Sequence, residues 1–493
     1  MVAVPEQVAA LGISANDWER TPVAVRTVLL VVLAELAAVK AENRELRKRI
    51  EVLEERLNND SNNSSAPPSA DDTAARKQRR KRKKGKRGPG GQPGHPKRER
   101  PLVVPNAVEA LHPQECECCH RSLEGVASEG EPERHQVTEV PPVKPHTTEF
   151  QMHACRCPDC GHLNKAVLPQ DVPRGAFGPR LQALVTICTG AYRLSRRTAQ
   201  GLMRDFFGVN ISLGSVANTE QIVSAALEAP VAEAQTFVEQ QQAAHVDETG
   251  WWQRASRAFL WVLATPLVVV YMIHPRRARE AARQLLAAFK GVLVSDRYVV
   301  YADWPSRKRQ VCWAHLMRAF QKMAERRGGS RRIGEDLLSA AELMFHWWHR
   351  VRDGTLKPST FRQYMSFHRA RVEGLLARGS RCHHRKTAAT CTEILKVKQA
   401  LWTFVRVDGV EPTNNAAERA LRGAVIWRKT SFGSWSEQGS RYVERMLTVS
   451  ATLRKQKRDL VDYIVQVCTA RLHNEPVPSL LPVESSRQHA LAA

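Results

Sequence analysis

The order of apolar runs between Ala243 and Asp296 restricts the fold more than any other feature of this chain. Residues 243–247 read as a short strand. Residues 259–265 and 267–273 read as a hairpin, with Pro266 confined to its turn, where the missing N–H costs no ladder bond. Residues 276–289 then place Ala281, Leu285, Leu286 and Phe289 at helical spacing, and 292–296 form a buried-type strand. Strand, strand, strand, helix, strand is the order of a ribonuclease-H-like fold. Its mixed sheet carries acidic residues to one edge.

Acidic residues stand where such a fold would deliver them. Asp247 and Asp296 end two of the strand-like runs, and Glu418 falls in the first turn of a helix opening near Pro412. Two strand-end aspartates and a helical glutamate suit a cage for two Mg²⁺ (or Mn²⁺) ions, because hard cations take carboxylate oxygens and leave positions open for phosphate and water. Each also has a plainer reading. The aspartates could cap the turns after their strands, and Glu418, three residues past Asn415, could complete a capping box. Glu248 and Asp303 are alternative ligands. The long interval before Glu418 implies an insertion, helical over about 325–400, whose Trp347-Trp348 pair is expected to pack internally. His315 could contact DNA or metal-bound water, and a satisfied core histidine is the plainer reading.

The surroundings of the carboxylates carry more. His245-Val-Asp-Glu-Thr-Gly-Trp, Ser295-Asp-Arg-Tyr-Val-Val-Tyr, Cys312-Trp-Ala-His-Leu-Met-Arg, Asn414-Asn-Ala-Ala-Glu-Arg-Ala-Leu-Arg and the upstream Gly90-Gly-Gln-Pro-Gly-His closely resemble the DDE transposases of the insertion-sequence sixty-six family. One departure is Arg297, where that family usually has glycine. The resemblance implies a metal-dependent polynucleotidyl transferase with Asp247, Asp296 and Glu418 as catalytic metal ligands. Such an enzyme cuts the ends of a mobile element by phosphodiester hydrolysis and joins them to target DNA by transesterification. It also implies two small accessory proteins encoded by the same element. The alternative is a catalytically inert, transposase-derived DNA-binding protein or repressor.

Composition agrees with a DNA-handling protein. The chain has 493 residues and a net charge of +24, and the excess is not confined to the basic tract, so a polyanion is attracted by the body as well. Within the tract, Arg79, Arg80, Lys81, Arg82, Lys83 and Lys84 are expected to follow a phosphate backbone; near Glu418, Arg419, Arg422, Arg428 and Lys429 are expected to face the strand. No membrane span or signal peptide is read, and the cysteine usage points to a reducing compartment, so a bacterial cytoplasmic, nucleoid-associated location is expected.

Upstream lies a heptad repeat. After Thr21-Pro22, a favourable helix start, Leu29, Leu36, Asn43, Ile50 and Leu57 take a positions, while Val25, Val32, Val39, Leu46 and Leu53 take d. In a parallel pair Glu35 would meet Lys40, Glu42 would meet Arg47 and Arg49 would meet Glu54, all of opposite sign. Asn43, the one polar a residue, favours a dimer in a single register. A homodimer through this coiled coil is expected.

Cys116, Cys119, Cys157 and Cys160 make two Cys-x-x-Cys knuckles, the pattern of a structural Zn²⁺ site. Cys118, Cys155, His120, His153 and His162 lie within reach as substitutes. Residues 180–192 and 195–207, and a third run from about 212 led by Gly214, Ser215, Asn218 and Gln221, are helical. Their spacing is compatible with a helix-turn-helix and equally with a supporting helical subdomain.

The expected fold class is multidomain α/β: a ribonuclease-H-like catalytic core with a helical insertion, preceded by a coiled coil, a zinc-binding module and a helical region. The expected boundaries are 1–20 (N-terminal segment), 21–58 (zipper), 59–100 (linker and basic tract), 101–172 (zinc-finger-like module), 173–235 (helical region), 236–465 (catalytic domain) and 466–493 (tail).

Overall fold

A computed structural model describes residues 5–57, 59–64, 71, 73 and 100–482. It is a mixed α/β chain of two compact units, one combining 1–83 with 314–396 and the other 84–313 with 397–493.

In the first unit, helices α1 (Glu6–Ala9) and α2 (Ala15–Arg20) precede α3 (Val23–Leu57), the heptad helix. Thr21 hands its hydroxyl to Asp17 O of α2 rather than capping α3, so the long helix begins after Pro22. Its a and d residues Val25, Val32, Leu36, Val39, Leu46, Ile50 and Leu53 are exposed, a stripe that no described residue covers. The same unit holds α9 (Trp313–Ala324, entered from the second unit), α10 (Gly329–Arg352), α11 (Pro358–Ser380) and α12 (Arg385–Lys396). Trp347 packs on Tyr364 and His368, and Trp348 on Phe361, so this aromatic pair belongs to the insertion's own core. Gly334 lets α10 approach α9 closely: a Cβ there would lie 2.2 Å from Ala324 N.

The second unit contains the small hairpin β1 (Ala154–Arg156) and β2 (Leu163–Lys165), then helices α4 (Pro179–Thr186, prolonged by a π turn at Ile187–Ala191), α5 (Arg196–Phe207), α6 (Leu213–Ala226) and α7 (Glu228–Glu239). Ser195 and Ser212 cap α5 and α6 through their hydroxyls, at the two starts expected from sequence. Its sheet comprises β3 (Ala243–Gln253), β4 (Ser256–Ala264), β5 (Val269–His274), β6 (Val292–Ser295) and β7 (Arg309–Val311), with α8 (Arg279–Leu286) between β5 and β6. The strand order is β5-β4-β3-β6-β7; β3, β4 and β5 are antiparallel, while β6 and β7 run parallel to β3. After the short α13 (Thr403–Arg406) come α14 (Asn415–Ser431) and α15 (Glu437–Gln456), which pack on the sheet, and α16 (Leu460–His473), which packs on α4, α6 and α15; together they close one large apolar core.

One expectation is corrected. The first strand does not end at Asp247 but runs to Gln253, because β4 continues to pair with it as far as Gln253↔Ser256. Helix α16 crosses residue 465, and its Val467 and Cys468, like Leu480 beyond it, are buried in the core.

The outer edge of β5 is sealed by side chains of α15. Glu444 accepts Ile273 N–H, Thr448 accepts Tyr271 N–H at 3.1 Å and Thr452 accepts Val269 N–H at 3.1 Å; farther along, Gln456 Nε2 donates to Leu267 O at 3.3 Å. Steps of four residues on a helix (about 6 Å) nearly match steps of two on a strand (about 6.8 Å), which lets one element shadow the other.

Candidate active site

Strands β3 and β6 run side by side with His245 level with Val294. Two residues farther along each, Asp247 and Asp296 come to the same level. There the ladder stops: β6 ends at Ser295, while β3 goes on paired to β4 alone. Asp247 thus sits where the sheet forks rather than in a turn. Its Oδ1 accepts the Glu248 N–H at 2.9 Å, and Asp296 Oδ1 accepts the Tyr298 N–H at 2.9 Å. The turn-capping role foreseen for Asp296 therefore exists, and it leaves Oδ2 available.

Glu418 reaches the fork from α14. The N-cap of that helix, Asn414, does not cap it; its Nδ2 donates instead to Val246 O at 2.7 Å, and its N–H reaches Cys312 Sγ at 3.1 Å. The helix start is thereby pinned to the residue before Asp247. Glu418 stands one position too late for a capping box and lies, with Cys312 Sγ, in a group whose candidate ligand atoms are within 4.8 Å of one another.

The three acids share one field. The Asp247 carboxyl is held well above the usual carboxylate range, first by burial, then by the negative charges of Glu248 and Asp296, with Glu418 adding to them and the Glu248 N–H opposing. Among the described residues neither Asp247 nor Asp296 makes an ion pair. Carboxyl groups gathered so closely that they repel one another fit a hard divalent cation, and Asp247, Asp296 and Glu418 are the residues that would hold it.

The alternative ligands are committed elsewhere. Glu248 points to the opposite side of β3; its Oε1 accepts Arg277 Nε at 2.9 Å and Nη2 at 2.6 Å, and its Oε2 accepts the Tyr301 hydroxyl. Arg277 lies 4.2 Å over the Tyr298 ring. Asp303 pairs with Arg279 at 3.2 Å and Arg283 at 3.1 Å.

Sequence reasoning missed this scaffold, and with it Arg309. That buried arginine donates from Nη2 to Asp296 O at 2.7 Å, from Nε to Ser295 Oγ at 3.1 Å and from Nη1 to Tyr301 O at 3.0 Å, fixing the peptide that carries Asp296. A lone arginine opening a short strand gives no local sign of such a role.

Of the expected DNA-facing residues, Arg419, Arg422 and Lys429 are exposed on one face of α14. Arg428 is a correction: it turns inward, and its Nη1 donates to Thr249 Oγ1 at 3.3 Å and to Gly250 O, because one residue of helix rotates it about 100° off the outer face. Arg79, Arg80, Lys81, Arg82, Lys83 and Lys84, and the Gly90 motif, lie outside the described residues. On α6, Gly214, Asn218 and Gln221 are exposed while Val216, Thr219 and Val223 are buried.

The two cysteine knuckles have the same backbone plan. Cys116 N–H donates to Arg121 O and His120 N–H to Cys116 O; likewise Cys157 N–H donates to His162 O and Gly161 N–H to Cys157 O. His120 and Gly161, the residues after the second cysteines, both adopt left-handed φ, 56° and 72°. Backbone N–H groups of Cys119 and Cys118 hold the Cys116 thiol below its ordinary range, and those of Cys160 and Asp159 do the same for Cys157. Among the described residues the four thiols are not gathered into one cluster; they form two pairs.

Comparison with known proteins adds the following. A profile of the transposase IS66 family matches residues 174–442, and a family of unknown function matches 21–101. The uncharacterized protein y4qI of Sinorhizobium fredii (strain NBRC 101917 / NGR234) is 25% identical over 258 residues, 46% of this chain and 47% of that protein. The uncharacterized protein y4hP of the same organism is 25% identical over 453 residues, 80% of this chain and 76% of that protein. The chain thus spans about half the length of the first relative and about three quarters of the second.

Proposed function

The chain belongs to the transposase IS66 family, and from that premise we propose that it cuts the ends of an insertion sequence and joins them to target DNA at the fork between β3 and β6. The observation that carries the reading is the level placement of Asp247 and Asp296, faced by Glu418, in a field of mutual repulsion. Divalent cations bound there would stabilise the charge that develops on the attacking and leaving oxygens of an in-line displacement at phosphorus. The protein's part is to fix three carboxylates: Arg309 holds the Asp296 peptide, Asn414 ties the Glu418 helix to β3, and Arg277 with Tyr301 keeps Glu248 out of the site. Arg419, Arg422 and Lys429 would meet DNA phosphates beside Glu418.

The strand order and the antiparallel-then-parallel pairing support a ribonuclease-H-like core. The exposed heptad stripe of α3 supports a parallel homodimer, and the matched knuckle geometry with low-lying thiols supports one structural Zn²⁺ drawing the two pairs together. Exposed Asn218 and Gln221 suit α6 as a DNA-reading helix.

A duplex carrying the element's terminal sequence should be nicked in Mg²⁺ by the intact protein and not by Glu418→Gln. The inert DNA-binding reading draws on Arg297, which puts a cation next to Asp296. Tight binding of the same duplex without any nicking at saturating Mg²⁺ would decide for it.

A further inference from the structure

The far end of α14 presents three aromatic rings to solvent where a glycine-rich turn would have sufficed. Trp435 is 83% exposed, Phe432 80% and Trp252 46%. Phe432 occupies the C-terminal cap of α14 with φ 58°, a left-handed conformation that glycine adopts freely and a bulky side chain does not. A phenylalanine held in that strained conformation while burying so little gains almost nothing from packing there.

The rings stand on a rigid base. Ser434 N–H donates to Trp252 O at 2.9 Å and Arg254 N–H to Ser434 O at 2.8 Å, so the loop after α14 adds a short rung to the tip of the β3–β4 hairpin. Ser434 Oγ accepts the Trp251 indole N–H at 3.1 Å. Gly433 is required for this staple, since a Cβ there would fall 2.1 Å from Trp252 O.

Cations lead to the platform and surround it. Asn415, Arg419, Arg422, Ile426 and Lys429 form the outer face of α14, so a basic stripe runs from beside Glu418 toward Phe432. Arg254 and Arg257 are exposed at the hairpin tip, while Glu437 at the start of α15 faces Arg441. From Asp247 to Gln253 is six strand residues, or about 20 Å. That distance equals about six base-pair steps of DNA.

We propose that Phe432, Trp435 and Trp252 form a stacking platform for unpaired DNA bases, on a strand whose phosphates follow Arg419, Arg422 and Lys429 and whose cleaved bond lies about 20 Å away. The chemistry that selects the ligand is the combination of aromatic faces with a basic track. A protein partner's apolar patch would have no use for the track, whereas single-stranded nucleic acid uses both. The inference rests on the reading of the chain as a DNA-processing protein, but not on its cleavage step.

The test uses the full chain in the Glu418→Gln background, so that no cutting intervenes. The probes are a blunt duplex and the same duplex with a five-nucleotide unpaired flap containing 2-aminopurine. Stacking predicts that the protein prefers the flapped duplex and quenches the probe. Trp435→Ala and Phe432→Gly should each weaken flap binding by about 5- to 100-fold and restore fluorescence, leaving the blunt duplex within about two-fold. Phe432→Gly relieves the backbone strain, so it should melt no lower than the parent, which separates loss of binding from loss of fold. Unchanged flap affinity and quenching in both variants overturn the platform. So does a shift of the DNA-free protein toward monomer on Trp435→Ala, which would make a second copy the occupant. Quenching that persists in a protein unable to nick DNA even with Glu418 intact would support the platform while counting against the transposase chemistry.

Discussion

Asp247 and Glu248 are adjacent carboxylates of nearly equal chemistry, and strand alternation gives them opposite fates. One meets other acids; the other is locked by an arginine and a tyrosine. Ligands of one metal site act as a unit, so Asp247→Ala, Asp296→Ala and Glu418→Ala should each abolish cleavage and strand transfer by orders of magnitude with duplex binding nearly intact. Gel assays on a terminal-repeat duplex check this, and residual cutting by any of the three removes that residue from the set. Tyr301→Phe should instead cost about 1–3 kcal/mol of stability, because buried Glu248 loses a donor, while leaving the reaction measurable. The raised Asp247 carboxyl gives a further prediction. A carboxylate whose folded range lies above its unfolded one costs stability when ionised, and this cost starts to shrink as pH falls through the folded range and is gone below the unfolded one. Without added divalent ions, Asp247→Asn should therefore melt higher than the parent at pH 7.5, and the gain should shrink on acidification. Calorimetry at several pH values checks the sign. The nearness of Asp247, Asp296 and Glu418 was legible because acids stand out beside apolar runs; Arg277, Tyr301 and Arg309 were not, since their partners are 29, 53 and 13 residues away and no local pattern links them.

At the scale of elements, repeats were read more surely than ends. Heptads placed a helix at 21–58, and α3 spans Val23–Leu57, because periodic apolar residues survive any context. The helical runs read at 195–207 and from about 212 likewise correspond to α5 and α6, each of which the structure opens with a serine cap. β3 ran past its expected end since Glu248-Thr-Gly looks like a turn when β4 is unseen. A peptide spanning residues 22–58 should form a parallel dimer, tested by disulfide capture through added C-terminal cysteines; a monomer in sedimentation defeats this, and Asn43→Leu should stabilise the helix pair while loosening its choice of oligomer. The knuckle region has little buried apolar surface, so its order should depend on metal. One zinc per chain is expected by metal analysis of the full protein, falling sharply in Cys116→Ser and Cys157→Ser; undiminished zinc in both would strike these ligands out.

For the molecule as a whole, the +24 charge predicts DNA affinity that falls steeply with salt, each lost phosphate contact such as Arg419→Ala or Arg422→Ala lowering the slope by about one. Such a molecule must also avoid pairing through its sheet, and the β5 edge shows how the chain manages it. A helix step of about 6 Å against a strand step of about 6.8 Å behaves as a vernier: alignment is best in the middle and drifts by about 0.8 Å per rung outward. Short threonines, Thr448 and Thr452, occupy the central rungs, and longer side chains, Glu444 and Gln456, span the outer ones. Exchanging residues 444 and 448 would keep composition and hydropathy unchanged, yet leave a reach too short at one rung and too long at the next. The sheet would then gain a sticky margin, along which two copies could zip together.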